Sequence, residues 1–352
     1  MLHYKENRML KLLLLLHALG LSFPTYAKVY RVGVLYWSMN IGGQVAMRKG
    51  LEEEAERLNK ELLKTGDSLK LIPFVAGDGE AGIENQIRQM NHIIDNENVD
   101  LIIIQPTDSA AVSNPLLRAN AKKIPVVAYD QYIIRGEIAS YVTSNNYQAG
   151  YLGGQYIASL YPDDYEIKLI LVDYPKVSSP VERVDGFLDA IKKENQKFKL
   201  EATFEAIEPT SGKAAATNIL KKFPQKNSID VIFTVNDSGG LPVVDAMAKA
   251  GRTEIKIATV DGDPESVENI RKGRNTVIDS AQFCAEIGRQ SMKRSWEILS
   301  KKKYPKKVTI PTFPVTKSTL TIYPGWLGQV PGAFEKEWKK GDFWDNKIIK
   351  TY

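Results

Sequence analysis

The side chains best suited to chemistry in this 352-residue chain are polar groups that follow runs of apolar residues. Gln105, with Pro106-Thr107-Asp108-Ser109, follows Leu101-Ile102-Ile103-Ile104. Asp130-Gln131 follows Ile124–Tyr129, Asn236-Asp237-Ser238 follows Ile229–Val235, and Gln282 closes Thr276–Ala281. Arg183 lies at the start of a helical stretch after Asp173. Each residue alone is an ordinary cap or turn former. Together they bring carboxylates, a guanidinium and amides to one rim. A carboxylate accepts from hydroxyls, a guanidinium donates in a fork, and an amide does both. A neutral polyhydroxylated ligand needs that mixture. Asp130 and Asp237 could also form the acid–base pair of an exported hydrolase. No motif demands it, and the chain is read as a binding protein without catalysis.

Residue counts remove other chemistries. A single cysteine, Cys284, excludes a disulfide framework and a cysteine-cluster metal site. Two of the three histidines, His3 and His17, fall in a segment expected to be removed, which leaves His92 and excludes a multi-histidine zinc site. Gly77-Asp78-Gly79-Glu80-Ala81-Gly82 has the G-x-G-x-x-G spacing, but it follows the second strand and carries two acids that would repel a diphosphate. It is read as a strand-to-helix turn. Ser211-Gly212-Lys213 fails as a phosphate loop because Ile207 stands where a glycine is needed. Net charge is +5, from 47 Lys+Arg against 42 Asp+Glu, and it is spread along the chain, so no nucleic-acid partner is implied. No cofactor and no metal are expected.

The elements that must position these residues alternate. Strands are expected at Val29–Tyr36, Lys70–Ala76, Val99–Gln105 and Ile124–Tyr129, with helices at Gln44–Lys64, Gly82–Asn96 and Ala110–Ala121. The alternation restarts near Ala139–Thr143 and runs through Tyr147–Leu160, Ile167–Asp173, Val181–Glu194, Phe198–Ile207, Gly212–Phe223, Ile229–Val235, Leu241–Ala250 and Ile255–Val260. Near-continuous apolar strands suit a parallel sheet covered on both faces. Two such series predict an α/β protein of two doubly wound lobes, with ligands beyond the carboxyl ends of the strands. The lysine-rich run Lys301–Lys307 is read as a solvated helix end, and the tail from Tyr323, with Trp326, Trp338 and Trp344, as a segment that packs on a lobe.

Residues 1–27 read as a signal peptide: Lys5, Arg8 and Lys11, then an apolar Leu12–Leu21, then Thr25-Tyr26-Ala27. Met9 could equally be the start. The mature chain is expected in the periplasm.

Leu101–Val112, Ile124–Asp130, Val181–Phe187, Phe233–Asp237 and Val260–Asp263 together resemble the periplasmic solute-binding proteins of the ribose-binding type, across about residues 29 to 310. The resemblance implies a type I periplasmic binding protein fold, two lobes joined by three crossings near Ser144, Gln282 and Ile310. It implies an N-terminal lobe of 28–143 plus 283–309, and a C-terminal lobe and tail of 144–282 plus 310–352. Asp130, Arg183, Asp237 and Gln282 match sugar-binding positions, and Gln105 stands where an asparagine is frequent. The family's paired phenylalanines are replaced by Gly43-Gln44, and an arginine by Gln131. Trp37, Tyr36 or Tyr132 could supply a stacking face instead; packing is the equal alternative for Trp37. The expected ligand-binding set is therefore Trp37, Gln44, Gln105, Asp130, Arg183, Asp237 and Gln282. The ligand class stays open between a sugar or polyol, favoured, and a furanosyl signal or a non-sugar. The expected partner is an ABC transporter permease, or alternatively a sensor kinase or chemoreceptor, with the protein a monomer.

Overall fold

The structure is a computed structural model that describes residues 27–352, so the signal peptide expected at 1–27 lies outside it except for Ala27. The first series runs β1 (Val29–Tyr36), α1 (Gly42–Leu62), β2 (Ser68–Val75), α2 (Gly79–Asn96), β3 (Leu101–Ile104), α3 (Ser113–Ala121), β4 (Val126–Tyr129) and β5 (Ser140–Ser144). The second runs α4 (Asn146–Ala158), β6 (Ile167–Asp173), α5 (Ser178–Lys193), β7 (Phe198–Glu205), α6 (Pro209–Lys222), β8 (Val231–Thr234), α7 (Asp237–Lys249), β9 (Lys256–Asp261), α8 (Pro264–Arg271) and β10 (Thr276–Ala281). The chain ends with α9 (Cys284–Leu299), β11 (Lys307–Ile310), β12 (Phe313–Val315) and β13 (Ile349–Thr351).

Two sheets result, in the orders β13-β11-β5-β4-β3-β1-β2 and β12-β10-β9-β8-β6-β7. All pairings are parallel except β11 with β13 and β10 with β12. The chain passes between the sheets after Ser144, after Ala281 and after Ile310, three crossings that lie together, and a fourth time through the tail between Val315 and Ile349. The crossings touch, because Asn145 N–H donates to Ile310 O at 2.6 Å and Ser144 Oγ donates to Gln282 Oε1 at 2.7 Å. The two α/β sheets thus form two doubly wound lobes joined by three clustered crossings, with the tail returning from the second sheet to the first.

Each sheet is covered on both faces, which is why β3, β4 and β8 are buried at every position. On the first sheet, α1 and α9 supply Met47, Leu51, Ile287 and Met292 to one face, and α2 and α3 supply Met90, Ile93, Leu116 and Ala119 to the other. On the second, Phe187 of α5 stacks on Phe233 of β8 with centroids 4.2 Å apart. Helices α4 and α5 meet backbone to backbone: a Cβ added at Gly150 would stand 1.8 Å from the carbonyl oxygen of Arg183. That contact seats the helix carrying the site's guanidinium.

The tail bears on both lobes. Trp344 packs on Phe313 and donates from Nε1 to Thr312 O at 2.7 Å, and Lys336 reaches Gln155 of α4 at 2.8 Å. β13 pairs with β11. The tail's last strand therefore belongs to the first sheet, a correction to the expectation that placed all of 310–352 with the second lobe. The pairing arises because β11 is otherwise an open edge.

Candidate ligand-binding cleft

The carboxyl ends of both sheets face one cleft, which holds about 370 Å³ of unfilled space counting its open mouth. From the first lobe come Trp37 and Gln44 around the amino end of α1, and Asp130-Gln131 after β4. From the second come Ser179 and Arg183 of α5, Asn236 after β8 and Asp261 at the end of β9, and Gln282 stands on a crossing. The lobes are drawn together. Gln131 Nε2 donates to Ser179 Oγ at 2.6 Å, Ser179 N–H returns to Gln131 Oε1 at 3.1 Å, and Tyr132 N–H donates to Ser178 Oγ at 3.1 Å.

Arg183 is the hub. Its Nη1 donates to Asp261 Oδ1 at 3.1 Å and to Val235 O at 2.7 Å, and its Nε donates to Asn146 Oδ1 at 3.0 Å. Gln282 Nε2 donates to the same Asp261 oxygen at 2.6 Å. Opposite, Asp130 Oδ2 accepts from Gln105 Nε2 at 2.8 Å. Both cleft carboxylates sit on unusual backbone, with φ of 62° at Asp130 and 131° at Asp261. Asp tolerates the first; the second lies outside the left-handed helical region and is strained.

Burial pushes both acids up. It raises Asp261 from 3.8 to about 6, against the pull of Arg183 and Gln282. It raises Asp130 too, against Arg183 and Gln105. Two carboxylates facing one guanidinium leave the cleft short of donors. Hydroxyl groups of a ligand would supply them.

Five of the seven expected residues line the cleft: Trp37, Gln44, Asp130, Arg183 and Gln282. Trp37 lines the cleft and also packs into the second lobe's apolar cluster with Ile207 and Val235. Gln44 spends its Oε1 on Ser38 N–H at 2.9 Å, which folds the loop after β1. Gln105 stands behind Asp130 rather than in the cleft. Asp237 is the clear correction. Helix α7 begins at Asp237, four residues before the expected Leu241, with Asn236 as its N-cap accepting from Gly239 N–H. The carboxylate turns away from the cleft to accept from Thr259 Oγ1 at 2.7 Å and Asp263 N–H at 2.7 Å. There it lies against Asp279, and burial and that neighbour hold it well above the usual carboxylate range. Asn236 and Asp261 take the cleft positions instead. Asp261 was visible only as part of Val260-Asp-Gly-Asp263; an acid at a strand's end followed by glycine was the available signal.

The Gly77–Gly82 stretch is the strand-to-helix turn expected, with Asp78 as N-cap and α2 already under way at Gly79, three residues before the expected start. Gly77 and Gly79 take φ of 94° and 63°, and a Cβ at Gly82 would stand 2.1 Å from Gly77 O. Among the described residues, no group of three or more His, Cys, Asp or Glu side chains is placed to hold a metal ion.

This arrangement of lobes and cleft has known counterparts. The ribose import binding protein RbsB of Salmonella typhimurium is 25% identical over 308 residues, covering 86% of this chain and 97% of that protein. The D-allose-binding periplasmic protein of Escherichia coli is 28% identical over 259 residues, covering 71% and 78%. The fructose-binding periplasmic domain of a hybrid two-component system superposes with a TM-score of 0.72 at 24% identity, over 83% of this chain and 92% of that one. A family model described as a periplasmic binding protein domain matches residues 32–303, most of the chain, and the protein belongs to that family.

Proposed function

We propose that the chain is an exported solute-binding protein that captures a sugar or polyol between its lobes and delivers it to an ABC permease. The observation that carries this reading is the buried, donor-poor arrangement of Asp130 and Asp261 around Arg183, with Asn236 and Gln282 as amides that both donate and accept. Relatives that cover most of the chain are named for ribose import and for D-allose binding, which supports the ligand class and the transport role. Trp37 offers an apolar face for a sugar's C–H groups. The lobes hinge at the three crossings and the protein works as a monomer, without catalysis.

The test is a thermal-shift screen of residues 28–352 against pentoses, hexoses and polyols, with titration calorimetry on each hit. A ligand at a hundredfold excess over its Kd should add about 2.7 kcal/mol of stability. Absence of any stabilising sugar or polyol would overturn the ligand class. Conversion of a bound sugar to product would overturn the non-catalytic role.

A further inference from the structure

The chain beyond residue 303 lies outside the family match, yet one part of it enters the seam between the lobes. Trp326 Nε1 donates to the carbonyl oxygen of Asp261 at 2.6 Å. Its own carbonyl accepts from Ala285 N–H, in the first turn of α9, at 3.1 Å. Its ring backs the amino end of α1, so closely that a Cβ at Gly42 would stand 2.9 Å from two ring carbons. Tyr323 adds a hydroxyl that donates to Gly262 O at 3.2 Å. A single tail residue thus touches the backbone of a cleft carboxylate, the helix that presents Gly43 and Gln44 to the cleft, and the first turn of the helix that follows the crossing with Gln282.

Asp261 needs such support. A backbone at φ 131° persists only where its surroundings fix it from several sides. The amides of Gly262 and Asp263 are held by Asp279 Oδ1 at 2.9 Å and Asp237 Oδ2 at 2.7 Å. The Asp261 carbonyl is held by Gln282 N–H at 2.9 Å and by Trp326. Of the holds on this turn, those from Trp326 and Tyr323 come from outside the matched domain, and the Trp326 bond is the one made to Asp261 itself, tying the second-lobe carboxylate to the first-lobe rim.

We propose that Trp326 is a positioning residue for the binding cleft, fixing the aim of the Asp261 carboxylate so that ligand affinity depends on the C-terminal tail. This rests on the cleft being the solute site. The test uses the full 28–352 chain with Trp326→Ala, Asp261→Asn and the double variant, titrated with the sugar or polyol found by the screen. Trp326→Ala is expected to weaken binding tenfold or more. In the Asp261→Asn background the same change should cost less than threefold, because the carboxylate it positions is gone. Equal losses in both backgrounds would show a merely structural role and overturn the proposal, as would Trp326→Ala binding within twofold of the parent. Should the alanine variant not fold, Trp326→Phe keeps the ring against Gly42 and loses only the N–H, and is compared across the same two backgrounds. If the parent binds no sugar or polyol, the solute reading fails by itself, and hydrogen exchange still tests the positioning. Trp326→Ala should then speed exchange of the Gly262 and Asp263 amides at least tenfold while Ile232–Thr234 stay unchanged. Unchanged exchange at 262 and 263 would overturn it.

Discussion

Asp261→Asn should make the empty protein more stable while making it a poorer binder. Asparagine has the shape of the protonated acid, so the substitution removes the free energy of holding the charge in the folded protein. Burial lifts the Asp261 pKa from 3.8 to about 6 even with Arg183 and Gln282 beside it. Two units correspond to roughly 3 kcal/mol at 1.4 kcal/mol per unit, an upper figure for the gain at pH 7.5. The sign follows from linkage. A raised acid holds its proton more tightly when folded, so its contribution is complete below about pH 4 and is lost as pH rises through about 6. The advantage of the variant should accordingly be greatest at pH 7.5 and vanish near pH 4. Ligand affinity should fall about 10- to 100-fold, since a hydrogen bond to a charged acceptor contributes about 1.5–3 kcal/mol. Thermal or urea unfolding from pH 4 to 7.5, with calorimetric titration of the ligand, reads both effects. A variant that is less stable at every pH, or whose gain does not change with pH, would refute the claim that the cleft penalises this charge.

Three further perturbations act on the same network. Arg183→Lys should weaken binding by roughly 10- to 100-fold in calorimetry and lower the melting temperature, because an ammonium cannot reach Asn146, Val235 O and Asp261 in the guanidinium's fork. Gln105→Leu touches no ligand but takes a donor from Asp130 and raises that acid further; affinity should drop about fivefold at pH 7.5 and more at pH 5.5, read by titration at both. Gly150→Ala forces α4 off α5 at the Arg183 carbonyl and should destabilise by about 1–3 kcal/mol in urea unfolding, with weaker binding alongside.

The fold was legible because its signals are local and repeated. The β1 boundaries agree with the sequence reading, and the β3 and β4 cores lie inside the expected apolar runs, since a strand buried on both faces leaves little ambiguity. Helix starts were less visible. Asn236-Asp237-Ser238 reads equally well as a loop or as a cap plus first turn, and that difference moved Asp237 from the cleft to the polar layer beneath it. Gln105 faced a similar limit: the sequence places it at the right strand end, but whether its amide meets a ligand or Asp130 depends on strand pairing. The short strands β11 to β13 carry too few residues for any period to show, and the seam role of Trp326 joins segments 65 residues apart in sequence.

Closure and the carboxylate electrostatics are one effect seen twice. Opening the lobes would return Asp130 and Asp261 toward water and so relieve the burial that raises them. Closing them empty removes that water and raises both acids, so the closed empty cleft carries an electrostatic penalty. The cross-lobe hydrogen bonds at Ser178 and Ser179 offset part of it at about 0.5–1.5 kcal/mol each, and the exposed Lys176–Glu80 pair at the rim adds little. A ligand whose hydroxyls meet the two carboxylates removes the remainder, and so shifts the lobes toward closure by the free energy the cleft withholds when empty. Selectivity follows from the same source. A deoxy analogue lacking the hydroxyl at Asp261 closes the lobes over an acid served only by Arg183 and Gln282, and should bind more weakly by about 10- to 100-fold.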